Sequence, residues 1–179
     1  MRVGLVRHYK VIDHTTNYWM SSKDFTDWIT QYNTADIYLQ NKITTHQNWE
    51  RCYSSDMIRA IRTAESIYNG DLIITDLLRE IEIGPLFQSN HKLHINMWLI
   101  FGRLGWFFKH RSQENKTSTF IRAKKLLDTI EGRGDREVLI VSHGAFMTLL
   151  RRELLRRGYK GDRFTKPING KIYTYMKEF

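Results

Sequence analysis

A chain of 179 residues, 41% of them hydrophobic and only one a cysteine, can bury a full core as one domain without an internal disulfide and needs no oxidising compartment. Its 28 Lys and Arg against 19 Asp and Glu leave a formal charge of +9, which favours anions as partners; nucleic acid would rest on that charge alone. No signal-type segment precedes the first strand, and the apolar stretch 93–108 is broken by Asn96, Gly102 and Arg103, so a cytoplasmic chain with no transmembrane span is expected.

The chain opens on Met1-Arg2-Val3-Gly4-Leu5-Val6-Arg7-His8, an apolar run without polar alternation that stops at a cation and an imidazole. Such a run reads as a strand buried on both faces of a parallel sheet, and ligands bind at the carboxyl edge of such sheets. Arg7 and His8 would stand at that edge. Residues 9–48 are polar and aromatic with weak periodicity; Asp24 to Tyr32 reads as a short helix with Phe25, Trp28 and Ile29 on one side, part of a pocket wall.

A second strand should end near Tyr53, after which Met57, Ile58, Ile61, Ala64 and Ile67 recur at helical spacing behind a Ser or Asp cap. Arg59 falls in the first turn, where free backbone N–H groups and a guanidinium together suit phosphate; Arg62 reads as a surface residue. Cys52 ahead of Arg59 invites comparison with a thiolate phosphatase. The six residues between them are one more than such a loop takes, and none is glycine, so Cys52 reads as a small buried hydrophobe.

Asp71 to Thr75 reads as a further strand, and Leu77 to Gly84 follows it with Glu80 and Glu82 on one face of an extended chain. Periodicity does not choose between the two carboxylates. The segment 86–119 is rich in aromatics, and Leu93, Met97, Ile100, Leu104 and Phe107 mark a helical face expected to pack inward; the remaining aromatics suit a sizeable, partly apolar pocket. Phe120 to Ile130 reads as a helix with Phe120, Ala123, Leu126, Leu127 and Ile130 inward. Glu137 to Gly144 repeats the opening pattern, a buried strand that stops at His143, and is followed by a helix over 145–157 whose Arg151, Arg152, Arg156 and Arg157 form a solvated basic face. Lys171 to Met176 alternates like an edge strand. If the first strand and 137–142 are neighbours, His8, His143 and Arg7 share one cleft.

Together, Leu5-Val6-Arg7-His8, Ser54 to Ala64, Leu78 to Gly84 and Val141-Ser142-His143-Gly144 resemble, in order, the signatures of the histidine phosphatase superfamily, the phosphoglycerate mutase-like fold. The resemblance implies an α/β fold, a doubly wound, mostly parallel sheet with helices on both faces, as a single domain over 1–179 with a small helical, aromatic-rich cap insertion at about 86–119. It implies a phosphohistidine formed without metal or cofactor; because the chain is short for a mutase and its first loop departs from theirs, a phosphomonoester hydrolase acting on a small organic phosphate is expected. His8 would be the nucleophile, and Arg7, Arg59 and a charged His143 would hold the phosphate. Glu80 would be the general acid, because the family's carboxylate stands four residues before the glycine matching Gly84, with Glu82 as fallback. A phosphoglycerate mutase-type transferase and a catalytically weak phosphate-binding protein are the alternatives, and the oligomeric state is left open. The chain departs from the family after His8: Tyr9, Lys10 and Val11 replace Gly, an acid and Ser or Thr, and His14 replaces an asparagine, so that loop's phosphate contacts should differ. Tyr9 and Lys10 are candidates for aromatic and cationic contacts instead.

Overall fold

The computed structural model describes residues 1–39 and 48–178. In chain order the elements are β1 (Arg2–Arg7), β2 (Trp19–Met20), α1 (Ser22–Thr34), β3 (Arg51–Ser55), α2 (Ile58–Ile67), β4 (Leu72–Thr75), a 3₁₀ turn at Asp76–Leu78, β5 (Leu93–His94), α3 (Ile95–Phe107), α4 (Lys116–Arg133), β6 (Glu137–Ser142), α5 (Gly144–Arg156), β7 (Lys160–Gly161) and β8 (Ile172–Met176). Of the polar stretch 9–48, residues 40–47 lie outside the described residues.

Six strands form one sheet in the order β4-β3-β6-β1-β8-β7. The first four run parallel, and β8 returns antiparallel beside β1. Alternation along the strands divides two cores between the faces. Val3 and Leu5 of β1 and Val138 and Ile140 of β6 meet Leu126, Leu127 and Ile130 of α4 and Phe146, Leu150 and Leu154 of α5. Val6, Cys52, Leu139 and Val141 point the other way, onto Ala60, Ala64 and Ile67 of α2 and onto Trp49. Gly4 is required on that second face, since a Cβ there would stand 2.6 Å from the Trp49 ring. The sheet is thus mostly parallel, as the apolar runs without alternation implied, and doubly wound, as the resemblance implied.

The basic group on α5 is not a solvated face throughout. Arg157, just past the helix, is ion-paired to Asp128, Glu131 and Glu153 and clamps α5 against α4, while Arg151 lies over the Phe164 ring. On α4, Phe120 is 37% exposed rather than inward; the helix starts four residues earlier than expected, and Thr119 takes the buried position.

A third core lies over the sheet's carboxyl edge. Met20, Phe25, Ile95 and Trp98 form it, with Phe25 stacked between Trp28 and Trp98 and the Trp98 Nε1–H donating to the Met20 carbonyl at 2.8 Å. A two-stranded ribbon of β2 and β5 joins the segment after β1 to the cap helix α3. The apolar face expected to pack inward on α3 does not do so. Met97, Ile100, Leu104 and Phe107 are all exposed, and the helix buries Ile95, Trp98, Gly102 and Gly105 instead. Close approach of the 83–86 segment explains the choice: a Cβ at Gly102 would lie 3.1 Å from the Ile83 Cβ, and one at Gly105 would lie 2.7 Å from Leu86. Small residues admit that segment, and the bulky stripe is turned outward.

Candidate active site

Parallel pairing places the two histidines. Arg7 stands opposite Ser142 in the β1–β6 register, and the His8 N–H donates to the Ser142 carbonyl at 3.0 Å, so both chains leave the sheet side by side. The His8 and His143 rings lie 5.1 Å apart, centre to centre, tilted by 55°. On the far side of β6, β3 ends at Ser55 and leads into α2. The residue capping α2 is Met57, not a Ser or Asp, and its side chain makes no cap bond. Arg59, in the first turn, folds back under the sheet edge to reach His143.

The hydrogen bonds assign both tautomers. The His8 Nδ1 lies 2.6 Å from the Tyr9 carbonyl, which can only accept, so Nδ1 carries the proton and Nε2 an open lone pair. Burial first, then the Arg59 and Arg7 charges, push the His8 pKa down to about 3 against the opposing Tyr9 carbonyl. The ring is therefore neutral at pH 7. At His143, Nδ1 accepts from the Arg59 Nε–H at 3.3 Å, which leaves the proton on Nε2 to bond the Ser55 hydroxyl at 2.9 Å. Complete burial, followed by His8, Arg59 and Arg7, holds its pKa well below the usual imidazole value. His143 is therefore neutral here, because cationic and potentially cationic neighbours surround it in a dry site; the charge expected from sequence goes with a phosphate dianion beside it.

Two guanidiniums flank the pair. Arg59 is 2% exposed, lies over the Tyr32 ring and donates to Asn33 at 3.3 Å. Arg7 donates to the Pro167 carbonyl at 3.1 Å, while its buried Nε has no partner among the described residues. Gly144 makes room for Arg7: a Cβ there would stand 3.3 Å from that Nε.

Between Glu80 and Glu82 the structure distinguishes by position. The 79–84 segment is irregular rather than a strand, and Glu80 reaches the start of α5, accepting from the Ala145 N–H at 3.1 Å and the Phe146 N–H at 3.0 Å. The Arg103 Nη2 stands 3.8 Å from the same oxygen that accepts from Ala145. Arg122 fixes this segment from below, donating to the Leu77 and Arg79 carbonyls while pairing with Glu114. Glu82 lines the same cleft farther out, with its backbone tied to Glu114. His8, Arg7, Arg59 and Glu80 all border one cavity of about 420 Å³, whose remaining wall includes Trp28, Ile29, Ile83 and Leu99.

The unusual loop after His8 is a structural substitution. Tyr9 is fully buried in the core below α2, its N–H donating to Thr63 at 2.8 Å, and is no surface contact for a ligand. Lys10 is exposed and lines a neighbouring depression with Arg7, Lys166 and Asn169. Asn169 donates to the His8 carbonyl at 2.6 Å and the Gly170 N–H to the Arg7 carbonyl at 2.8 Å, so the chain before β8 secures the end of β1. Exposed His14 lines a separate depression. Cys52 is buried, its thiol pushed up to about 12 by burial, and belongs to the core. Sequence reasoning passed over Ser55, Asn169 and Arg103. Ser55 lay inside the Ser54 to Ala64 signature without a role, and Arg103 stood out as the lone cation inside an apolar helix.

A model of the histidine phosphatase superfamily (branch 1) matches residues 3–173. The chain belongs to that superfamily. Among curated relatives, it is 31% identical over 115 residues to a "probable phosphatase" of Schizosaccharomyces pombe; the match takes in 59% of this chain and 39% of the relative, so the chain spans about two fifths of that protein's length. The fold resembles that of a phosphoglycerate mutase from Bacillus anthracis, with a TM-score of 0.58 at 20% identity over 99% of this chain and 91% of the other. It likewise resembles an alpha-ribazole phosphatase from Shigella flexneri, with a TM-score of 0.56 at 14% identity over 97% and 96%. A mycobacterial glucosyl-3-phosphoglycerate phosphatase gives 0.57 at 16% identity over 87% and 79%. For this member of the superfamily, no group of three or more His, Cys, Asp or Glu placed to hold a metal is found among the described residues, and no helix of those residues is long and apolar enough to cross a membrane.

Proposed function

We propose that this chain is a phosphomonoester hydrolase that works through a phosphohistidine at His8 Nε2. The observation that carries the reading is the placement of His8: its Nδ1 lies 2.6 Å from the Tyr9 carbonyl, which leaves Nε2 as the free nitrogen, and the residue lines a cleft that Arg7 and Arg59 also line. A phosphoryl group in transfer spreads charge over its equatorial oxygens, and two fixed guanidiniums stabilise that charge without reorganising. The Nε2 lone pair attacks phosphorus, an N–P bond forms as the ester P–O bond breaks, and the Glu80 carboxyl group gives its proton to the departing alkoxide. Water then gives a proton to Glu80 and its oxygen to phosphorus, the N–P bond breaks, and inorganic phosphate leaves with His8 restored. A bound dianion would offset the cations that keep His143 neutral, and a protonated His143 would then donate to the phosphate.

Release to water rather than return to the substrate is supported by the exposure of the Glu80 side chain, about one quarter, which lets solvent reach the group that must activate it. Single-domain organisation over 1–179 belongs to the same proposal. The test is hydrolysis of an aryl phosphate in the presence of a chelator, with acid-labile labelling of the protein from ³²P-substrate. Native protein should turn over and label, and His8→Ala should do neither. Turnover retained by His8→Ala would overturn the assignment.

A further inference from the structure

The bulky stripe of α3 is apolar and faces outward. Met97, Ile100, Leu104 and Phe107 are between 41% and 56% exposed, although the helix that carries them anchors a well-packed core through its opposite face. These residues recur at helical spacing, and Ile100, Leu104 and Phe107 border, with Asn96, an open, shallow groove of about 660 Å³. Two further residues in that groove's wall, Leu99 and Arg103, also line the cleft that holds His8, Arg7 and Arg59. One turn of α3 is therefore a shared lip, with the cationic cleft on one side and the apolar groove on the other.

The cleft itself changes character toward that lip. Its buried end holds His8 and Arg59, and its less buried wall brings Ile29, Ile83 and Leu99 beside Arg79, Glu82 and Arg103. From Leu99 to Phe107 the groove follows α3 for about 12 Å. We infer that the substrate of this site is an amphiphile: a phosphomonoester whose phosphate lies against His8 and whose apolar tail crosses Leu99 and lies in the groove over Ile100, Leu104 and Phe107. This rests on the phosphomonoesterase reading of the same site and names its substrate class. Arg103 at the lip, its Nη1 buried without a partner among the described residues, stands where the polar head gives way to the tail.

The test is a series of n-alkyl phosphates from ethyl to dodecyl, each assayed below its micelle concentration, with native protein and with the double variant Ile100→Gln/Leu104→Gln. Neither residue borders the reacting groups, and both side chains are exposed enough to be replaced without disturbing the core. A groove that covers one side of the chain should give about a two-fold gain in kcat/KM per methylene, half the free energy of full burial. The gain should come through KM at constant kcat, since the tail contacts are the same in ground and transition states, and it should level off once the groove is filled. In the double variant the gain should collapse while ethyl phosphate is hydrolysed as by native protein. Flat kcat/KM across the series, with ethyl phosphate turned over through labelled His8, would overturn the inference and leave the phosphatase reading standing. No hydrolysis of any ester would overturn both. A length dependence that survives in the double variant, or that appears only above the micelle concentration, would also overturn it, the latter assigning the stripe to a lipid surface rather than to a substrate tail.

Discussion

Acid should destabilise this protein through His8, and the size of the effect follows from its environment. The folded chain lowers the His8 pKa from 6.5 to about 3, chiefly by burial. Below pH 6.5 the unfolded chain takes up a proton that the native state refuses until about pH 3. The stabilising contribution is complete above 6.5, and stability falls as the pH falls through that window. The full shift corresponds to about 5 kcal/mol, and lowering the pH from 7 to 5 crosses enough of it to cost about 2 kcal/mol. In a chain of this size that is about 4–8 °C in Tm. His8→Asn is the informative variant, because its amide can still donate toward the Tyr9 carbonyl but does not titrate. Calorimetry at pH 7 and pH 5 should show the native Tm falling at least about 4–8 °C further than that of the variant, since titrations remote from His8 are common to both proteins and loss of His8 also eases the protonation of His143. Equal falls would refute the argument that the folded chain keeps His8 neutral by burying it beside Arg59, and with it the case for an open Nε2 lone pair.

Two further substitutions probe the groups around that lone pair. Glu80→Gln keeps an acceptor for only one of the Ala145 and Phe146 N–H groups and has no proton to deliver to an alkoxide, so kcat for an alkyl phosphate should fall by ~10²–10⁴-fold. For an aryl ester with a far better leaving group the first step should fall much less, and equal losses on both would remove Glu80 from proton transfer. Gly144→Ala separates activity from stability. The backbone there is not in the left-handed region, so the substitution should leave Tm unchanged or raise stability by ~0.4–1 kcal/mol. The new methyl, 3.3 Å from the Arg7 Nε, should push that guanidinium by a few tenths of an ångström and lower kcat/KM by roughly 3–10-fold, as expected when a charge-stabilising group is displaced by a fraction of an ångström. Unchanged kinetics would show that Arg7 tolerates the displacement.

What could be read from the sequence divides along a physical line. Arg7, His8 and His143 could be placed together because parallel strands impose the geometry: two apolar runs without alternation must lie inside one sheet, and their ends emerge on one edge. Glu80 and Glu82 could not be separated by periodicity, because the 79–84 segment is not a strand and the deciding partner is the start of α5, more than sixty residues away. Tyr9 illustrates the same limit in reverse. Read beside a nucleophile it suggests a ligand contact, yet it fills the core under α2, and the loop's anchoring passes to Asn169 and Gly170, for which local sequence offers no signal.

The cap helix shows where hydrophobicity alone misleads. Two stripes of α3 are available for burial, one bulky with Met97, Ile100, Leu104 and Phe107, the other carrying Ile95 and Trp98 together with two glycines. Ranking them by apolar volume turns the first inward. Packing ranks them differently, because Ile83, Leu86 and Gln113 press against Gly102 and Gly105 more closely than a methyl group would meet without a shift of its neighbours. That same approach seats the segment that follows Glu80 against the cap helix. The glycines therefore do two things at once: they admit Ile83, which lines the cleft, and they turn the bulky stripe out to the side of that cleft where the proposed apolar tail would lie.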